Sequence, residues 1–432
     1  MTLYSKEKDN IITYLGSGIE LPRMMRVRQI LPDAHLNPWE LPEIVGRELR
    51  RSMIRAQIKP GMRVAVTCGS RGIAHIAIII KAIVDTLKQF GAAPFVFPAM
   101  GSHGGATAEG QLEILRGYGI TEEKLGCSIF ASMQVVHVGD TDEGMPVYCD
   151  KHAYEADAIL LCGRIKPHTG FRGLYESGLM KMAVIGMGKQ HGAEQVHRDG
   201  FSDLGRLLPM IGRVVLEKTK VIGGVGIVEN AFDQTCILRA LTKDEIFTEE
   251  PKLLKQAYAM MGRIYTDNLD VLVVDRIGKD ISGDGMDPNV TGRFLVPHLH
   301  GNFRVQRVAV LDLSEDTHGN FVGLSNADIT TRRVIDKLDP DVTYPNLVTS
   351  TVLNGGKIPI FAQSDRTCIQ IALKTCNYID RAHPRVVRIR DTQNLGEIQV
   401  SEAMLSEVEE DNRMEIISDP KPWPFNEVGN LW

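Results

Sequence analysis

Between Arg164 and Phe201 the chain reads RIKPHTGFRGLYESGLMKMAVIGMGKQHGAEQVHRDGF. These 38 residues hold His168, Lys181, Lys189, His191 and His197, together with seven glycines. Three of the chain's 12 histidines fall in this one stretch. Imidazole titrates near neutrality and binds metals through its free nitrogen. Glycine lets a backbone come close to a ligand. Metal binding, phosphate binding and acid–base catalysis are all open on residue types alone. Spacing disfavours a protease-like zinc pair, which needs two histidines at i and i+4 on one helix face. His191 and His197 are six apart and fall on opposite sides of a helix, so at most one of them reaches a site built by other loops. The stretch contains no G-x-G-x-x-G fingerprint and no P-loop. GGVGIVEN (223–230) has a superficial likeness to the fingerprint, but it reads as strand throughout.

Two further glycine-rich loops, TCGSRGI (67–73) and AMGSHGGAT (99–107), follow strand-like runs, as does GRIKPHTGFRG (163–173). In a mostly parallel sheet such loops leave by one edge, and ligands bind there at the switch point in strand order. Arg71, His103 and His168 are therefore expected to converge. A Ser70-Arg71 pair ahead of a long helix suits an anion. Gly104 and Gly105 free the backbone beside His103 for close approach. Each residue also has an ordinary reading. Arg71 can be a surface residue beside a turn, His103 a tolerated turn residue, and His168 an ordered loop residue after Pro167.

The elements that must carry these loops alternate strand and helix, the mark of an α/β protein. Strands are expected at 62–68, 93–100, 156–166, 221–230 and 236–243, with helices at 41–57, 73–87, 106–119 and 250–264. After a boundary near Ile264 the alternation resumes at LDVLVVDRIGKDISGDGMD (269–287) and continues to the end. The chain is thus read as two α/β domains with mostly parallel sheets, residues 1–264 and 265–432, with exchange of segments between them left open. A length of 432 residues suits two or three domains. A net charge of −5 without a basic stripe gives no footprint for nucleic acid. MTLYSKEKDNIITY has no apolar run of a secretory leader, and the apolar 73–87 segment is too short and too charged for a bilayer. Seven scattered cysteines without a C-x-x-C pair point to neither a zinc knuckle nor a disulfide framework, and a reducing cytoplasm fits.

The order GSHGGAT, PHTGF, GLMK, VH resembles the nickel-dependent lactate racemase family, with its hydroxyacid racemase and epimerase relatives, as a distant branch. The resemblance is densest from Val64 to Phe201 and thins after Asp287. It implies two α/β domains with the active site in the cleft between them. It also implies a nickel-pincer nucleotide, that is, nickel pyridinium-3,5-bisthiocarboxylic acid mononucleotide. By the same resemblance His103 and His168 are the two catalytic bases, and Lys181 is the lysine that can join the cofactor covalently. His197 is then the nickel ligand, with His191 as a helix-surface or neighbouring residue. Arg71 and Lys279, the latter in IGKDIS, stand near the substrate, and Ser70, Gly104 and Gly105 near the cofactor. The implied partners are a small 2-hydroxy acid and the enzymes that make and load the cofactor, with no nucleic acid and no membrane. The chemistry is removal and return of hydride at the carbinol carbon, with one base for each face of the substrate. Two alternatives remain open: an α/β protein binding an ordinary phosphorylated ligand without catalysis, and a hydrolase or lyase with a divalent metal on His103, His168 and His197.

Overall fold

The computed structural model describes residues 11–51, 53–198, 200–301 and 303–432. Residues 1–10 of the polar N-terminal stretch lie outside them. The chain forms two units: one is Pro32–Met261, and the other joins the described residues up to Leu31 with Gly262–Trp432. No described helix is long and apolar enough to cross a membrane.

The Pro32–Met261 unit is built on a five-stranded sheet. Its order is Ala93–Pro98, Arg63–Cys68, Ala158–Arg164, Val221–Glu229, Thr235–Thr242. The first four strands are parallel and the last is antiparallel. Their near-continuous apolar runs match a sheet covered on both sides. Alternate residues divide between two cores. Ala65, Phe95, Ile159 and Leu161 face helices Leu204–Lys218 and Lys243–Met260. Val64, Val66, Val96 and Leu160 face helices Leu41–Arg51 and Ile76–Gln89. From Arg63–Cys68 the chain moves to a neighbour on one side and then returns to the other, so the order reverses between Arg63–Cys68 and Ala158–Arg164. The loops after these strands open at that switch point.

Several boundaries differ from expectation for local reasons. The long apolar helix begins at Ile76, because His75 sits in the left-handed region at φ 59. Ser70 and Arg71 therefore belong to the loop and not to the helix's first turn. The helix expected at 250–264 runs over Lys243–Met260, started by a capping box between Thr242 and Glu245. The 41–57 helix breaks into Leu41–Arg51 and Ile54–Gln57. An antiparallel pair, Val135–Asp140 with Pro146–Asp150, was not anticipated. The fingerprint-like glycines are strand interior: a Cβ on Gly226 would lie 2.7 Å from Ile165 Cδ1.

The other unit carries an eight-stranded sheet. Ile360–Ala362, Ile329–Thr331, Val305–Leu313, Leu269–Ile277 and Val386–Ile389 run parallel. Glu397–Ser401, Met24–Gln29 and Met414–Ile416 complete it antiparallel. Pairing of Met24–Gln29 with both of its neighbours ties the N-terminal residues to this unit. Lys279 lies in the loop after Leu269–Ile277, where its backbone N–H donates to Thr317 Oγ1 (2.9 Å) and its Nζ donates to the Gly283 carbonyl (2.6 Å).

Candidate functional site

The switch-point loop after Ala158–Arg164 holds His168 by its backbone and its ring. The His168 N–H donates to Glu176 Oε2 at 2.6 Å, and Nδ1 accepts the Gly170 N–H at 2.9 Å. The ring packs on Phe171, with centroids 4.4 Å apart. Lys181 Nζ lies 2.6 Å from His168 Nε2. Burial pushes the His168 imidazole well below its ordinary range, and the charges of Lys181, His197, Lys166 and Arg172 push the same way. Glu176 is itself buried, and its second oxygen accepts the Tyr258 hydroxyl at 2.9 Å. Burial raises its carboxyl, while the His168 N–H and Arg172 oppose the rise.

Lys181 ends a short helical segment, Leu179–Lys181, that continues into a π-helical turn, Met182–Gly186, and then into helix Lys189–His197. π-Turns of this kind are concentrated at functional sites. Glu250, nearly fully buried, receives the Met180 N–H at 3.0 Å at the start of that segment. A Cβ on Gly178 would lie 2.0 Å from Glu250 Oε1, so a larger residue there would have to displace the carboxyl. Burial raises the Glu250 carboxyl to about 8.

His197 and His191 occupy different environments on one helix. His197 is lowered to about 4, first by burial and then by the charge of Lys181, while its bond to the Ala193 carbonyl opposes the shift. A ring N–H given to a backbone carbonyl sets the tautomer and leaves the other nitrogen with a free lone pair. His191 is exposed and lies 5.8 Å, centroid to centroid, from the Tyr148 ring. Among the described residues no three His, Cys, Asp or Glu side chains form a set that could hold a metal. An imidazole oriented in this way can offer its other nitrogen to a metal.

The other two loops sit at the same sheet edge. Ser70 Oγ meets His103 Nδ1, and the Ser70 carbonyl accepts the Tyr118 hydroxyl at 2.8 Å. The charge of Arg71 acts on Tyr118, opposing the rise that burial causes in that phenol. Glu229 ties this loop to the sheet through Ala74 N–H (2.6 Å) and an ion pair with Arg164. Gly104 and Gly105 are left-handed, at φ 66 and 62, and a Cβ on Gly104 would lie 2.6 Å from the Gly110 backbone. Both loops approach the π-turn: a Cβ on Gly69 would lie 3.1 Å from Met182 Cε, and one on Gly101 3.1 Å from Ile185 Cγ2. The structure thus groups His168 with Lys181 and His197, and Ser70 with His103, around one segment. Lys279 belongs to the other unit.

Sequence reasoning missed Glu176, Glu250, Tyr118, Asp150 and Gln111, and gave Lys189 no buried partners. Gly178 in ESGLMK was the one available trace of Glu250, since a glycine ahead of a helix can mark a close neighbour.

Fold and site together define a doubly wound α/β unit with a histidine–lysine site at its switch point. Residues 20–204 match the family model described as the lactate racemase N-terminal domain. Seven chains of solved structures also match. One is the lactate racemase apoprotein from Thermoanaerobacterium thermosaccharolyticum, 11% identical, covering 86% of this chain and 89% of that chain with a TM-score of 0.48. No curated protein matches.

Proposed function

We propose that the protein is a racemase or epimerase of a 2-hydroxy acid working with a nickel-pincer nucleotide. The grouping of His168, Lys181 and His197 inside the residues that match the lactate racemase N-terminal domain carries this reading. When bound, the cofactor supplies a hydride acceptor that returns the hydride to either face of a planar keto acid. His197 would hold the nickel through its free ring nitrogen. Ser70, Arg71, Gly104 and Gly105 would line the cofactor's place.

Lys181 is the amine that would join the cofactor covalently, and its Nζ lies 2.6 Å from His168 Nε2. His168 and His103 act as the two bases, each exchanging the hydroxyl proton of one enantiomer. His168 is kept neutral by burial and by its cationic neighbours, and is therefore able to accept a proton. Arg71 would neutralise the substrate carboxylate.

The test is production in a host that makes the cofactor, followed by nickel analysis, intact mass, visible spectrum and assay on a panel of 2-hydroxy acids. The expected result is one nickel with sulfur ligation, a matching mass gain and racemisation of at least one acid. Protein that takes up neither nickel nor mass from such a host would refute the reading. Zinc or manganese without a nucleotide would favour the three-histidine hydrolase or lyase.

A further inference from the structure

Lys189 was singled out by sequence and has no part in the proposed chemistry, yet it is one of the largest fully buried side chains. It opens helix Lys189–His197 with a left-handed backbone at φ 54. Its Nζ lies 3.2 Å from Asp150 Oδ2, and neither side chain has exposed surface. The contact is coulombic, since Oδ2 has no well-aligned hydrogen bond. Nζ also donates to the Pro98 carbonyl and, at 3.2 Å, to Gln111 Oε1. Gln111, fully buried too, donates from Nε2 to the Gly101 carbonyl (3.0 Å) and the His103 carbonyl (3.2 Å). Three carbonyls between the strand end at Pro98 and His103 are therefore held by two buried side chains.

A buried ion pair is a poor way to gain stability, because desolvation offsets much of the attraction and an apolar pair of similar volume often does as well. What an apolar pair cannot do is aim donors at backbone carbonyls. We propose that Lys189, acting through Gln111 and charge-balanced by Asp150, is the positioning residue for the His103 loop. The His103 N–H closes a turn on the Met100 carbonyl (3.1 Å), and the network anchors that turn to the buried side chains beneath it. This sets where the His103 ring meets Ser70. Its meaning for proton transfer rests on the function proposed above, but the positioning itself does not.

The test separates positioning from stability and needs neither cofactor nor substrate. Histidine-labelled protein is observed by NMR at the ring Cε1–H groups, with the His103 signal assigned by its loss in His103→Asn. Two variants are compared with the parent. Lys189→Met with Asp150→Asn removes both charges together and keeps the acceptor that caps the Ala153 N–H, a bond of 3.0 Å in the parent. Gln111→Met leaves the charged pair in place and removes the bridge to the loop. Both are expected to broaden or move the His103 signal and shift its titration midpoint, while exposed His137 is unchanged. In any racemisation assay, kcat is expected to fall about tenfold or more at nearly constant KM, as for a reacting group displaced by a fraction of an ångström. An unchanged His103 signal and midpoint in the folded variants overturns the proposal. If the pair variant does not fold, Gln111→Met decides alone. A moved His103 signal in a protein that racemises nothing keeps the positioning and removes the proposed reaction.

Discussion

The two histidines assigned as bases are held in opposite ways. His168 is gripped directly: its own N–H, its ring nitrogens and its ring face all have partners within one loop and the segment beside it. His103 is exposed, its ring meets Ser70, and it is held mainly from below, through main-chain carbonyls. Burial and neighbouring cations therefore set the protonation of the first, whereas backbone geometry sets the place of the second. Bases serving two faces of one substrate need not be built alike.

The largest expected effect lies on the His168 side. Glu250 braces the segment ending in Lys181, and burial raises its carboxyl from 4.5 to about 8. The folded state thus binds more protons than the unfolded state between these values. Stability supplied by the protonated acid is complete below about 4.5 and is lost as pH rises toward 8, at most about 5 kcal/mol. His168 and His197 pull the other way, because their lowered values favour the folded state as pH rises toward 6.5. The informative measurement is the difference in unfolding free energy between parent and Glu250→Gln across pH 4 to 9. The parent is expected to lose ground steadily to the variant. A flat difference would remove Glu250 from the account of this half.

Next in size is the loss of either base. His103→Gln and His168→Gln are each expected to cut racemisation by about 10²–10⁴-fold in both directions, since a full turnover uses both faces. Each should still permit reduction of the loaded cofactor by one enantiomer, with opposite preference in the two variants. Single-turnover spectroscopy with each enantiomer of a confirmed substrate checks this. Near-normal racemisation in both would show that neither is a base, and loss of the same enantiomer in both would break the two-face arrangement.

Legibility differed between these halves and followed burial. The parallel strands were readable because runs such as MRVAVTC are apolar on both faces. Loops carrying Ser70, Arg71, His103 and His168 were readable because glycines cluster after such runs. The supports were hidden, because a charged residue in a helix reads as solvated surface. Glu250 lies in EEPKLLKQ and Gln111 in AEGQLEIL, and nothing local says that either is buried. Asp150 closes a strand pair that was not foreseen. Only the Thr242–Glu245 capping box could have been read in advance, since both partners lie within one turn. Polar burial is decided by tertiary packing, and helix periodicity does not report it.

A smaller effect distinguishes two histidines on one helix. With matched cofactor loading, His197→Ala is expected to lower nickel retention by about tenfold or more, the scale on which changes at metal sites act. His191→Ala should leave it near the parent value, because that ring lies at the surface beside Tyr148. Nickel retained by the first variant and lost by the second would reverse the assignment.

The smallest effect probes whether the two halves are independent. Tyr258 donates its hydroxyl to Glu176 Oε1, while Glu176 Oε2 accepts the His168 N–H. Tyr258→Phe removes one neutral donor from a buried carboxylate and keeps the ring. A hydrogen bond of this kind contributes about 1 kcal/mol net, somewhat more when the acceptor is charged. Loss of that donor also frees Glu176 to shift, and the shift passes to His168 through the one remaining carboxylate oxygen. The expected outcome is a thermal midpoint lowered by a few degrees. The His168 ring signal should move slightly and the His103 signal should stay in place. Thermal denaturation and the same ring Cε1–H spectra read the two quantities. Equal movement of the two histidine signals would mean that the loops are mechanically coupled through the sheet edge, and that the contrast between a gripped base and a scaffolded one does not hold.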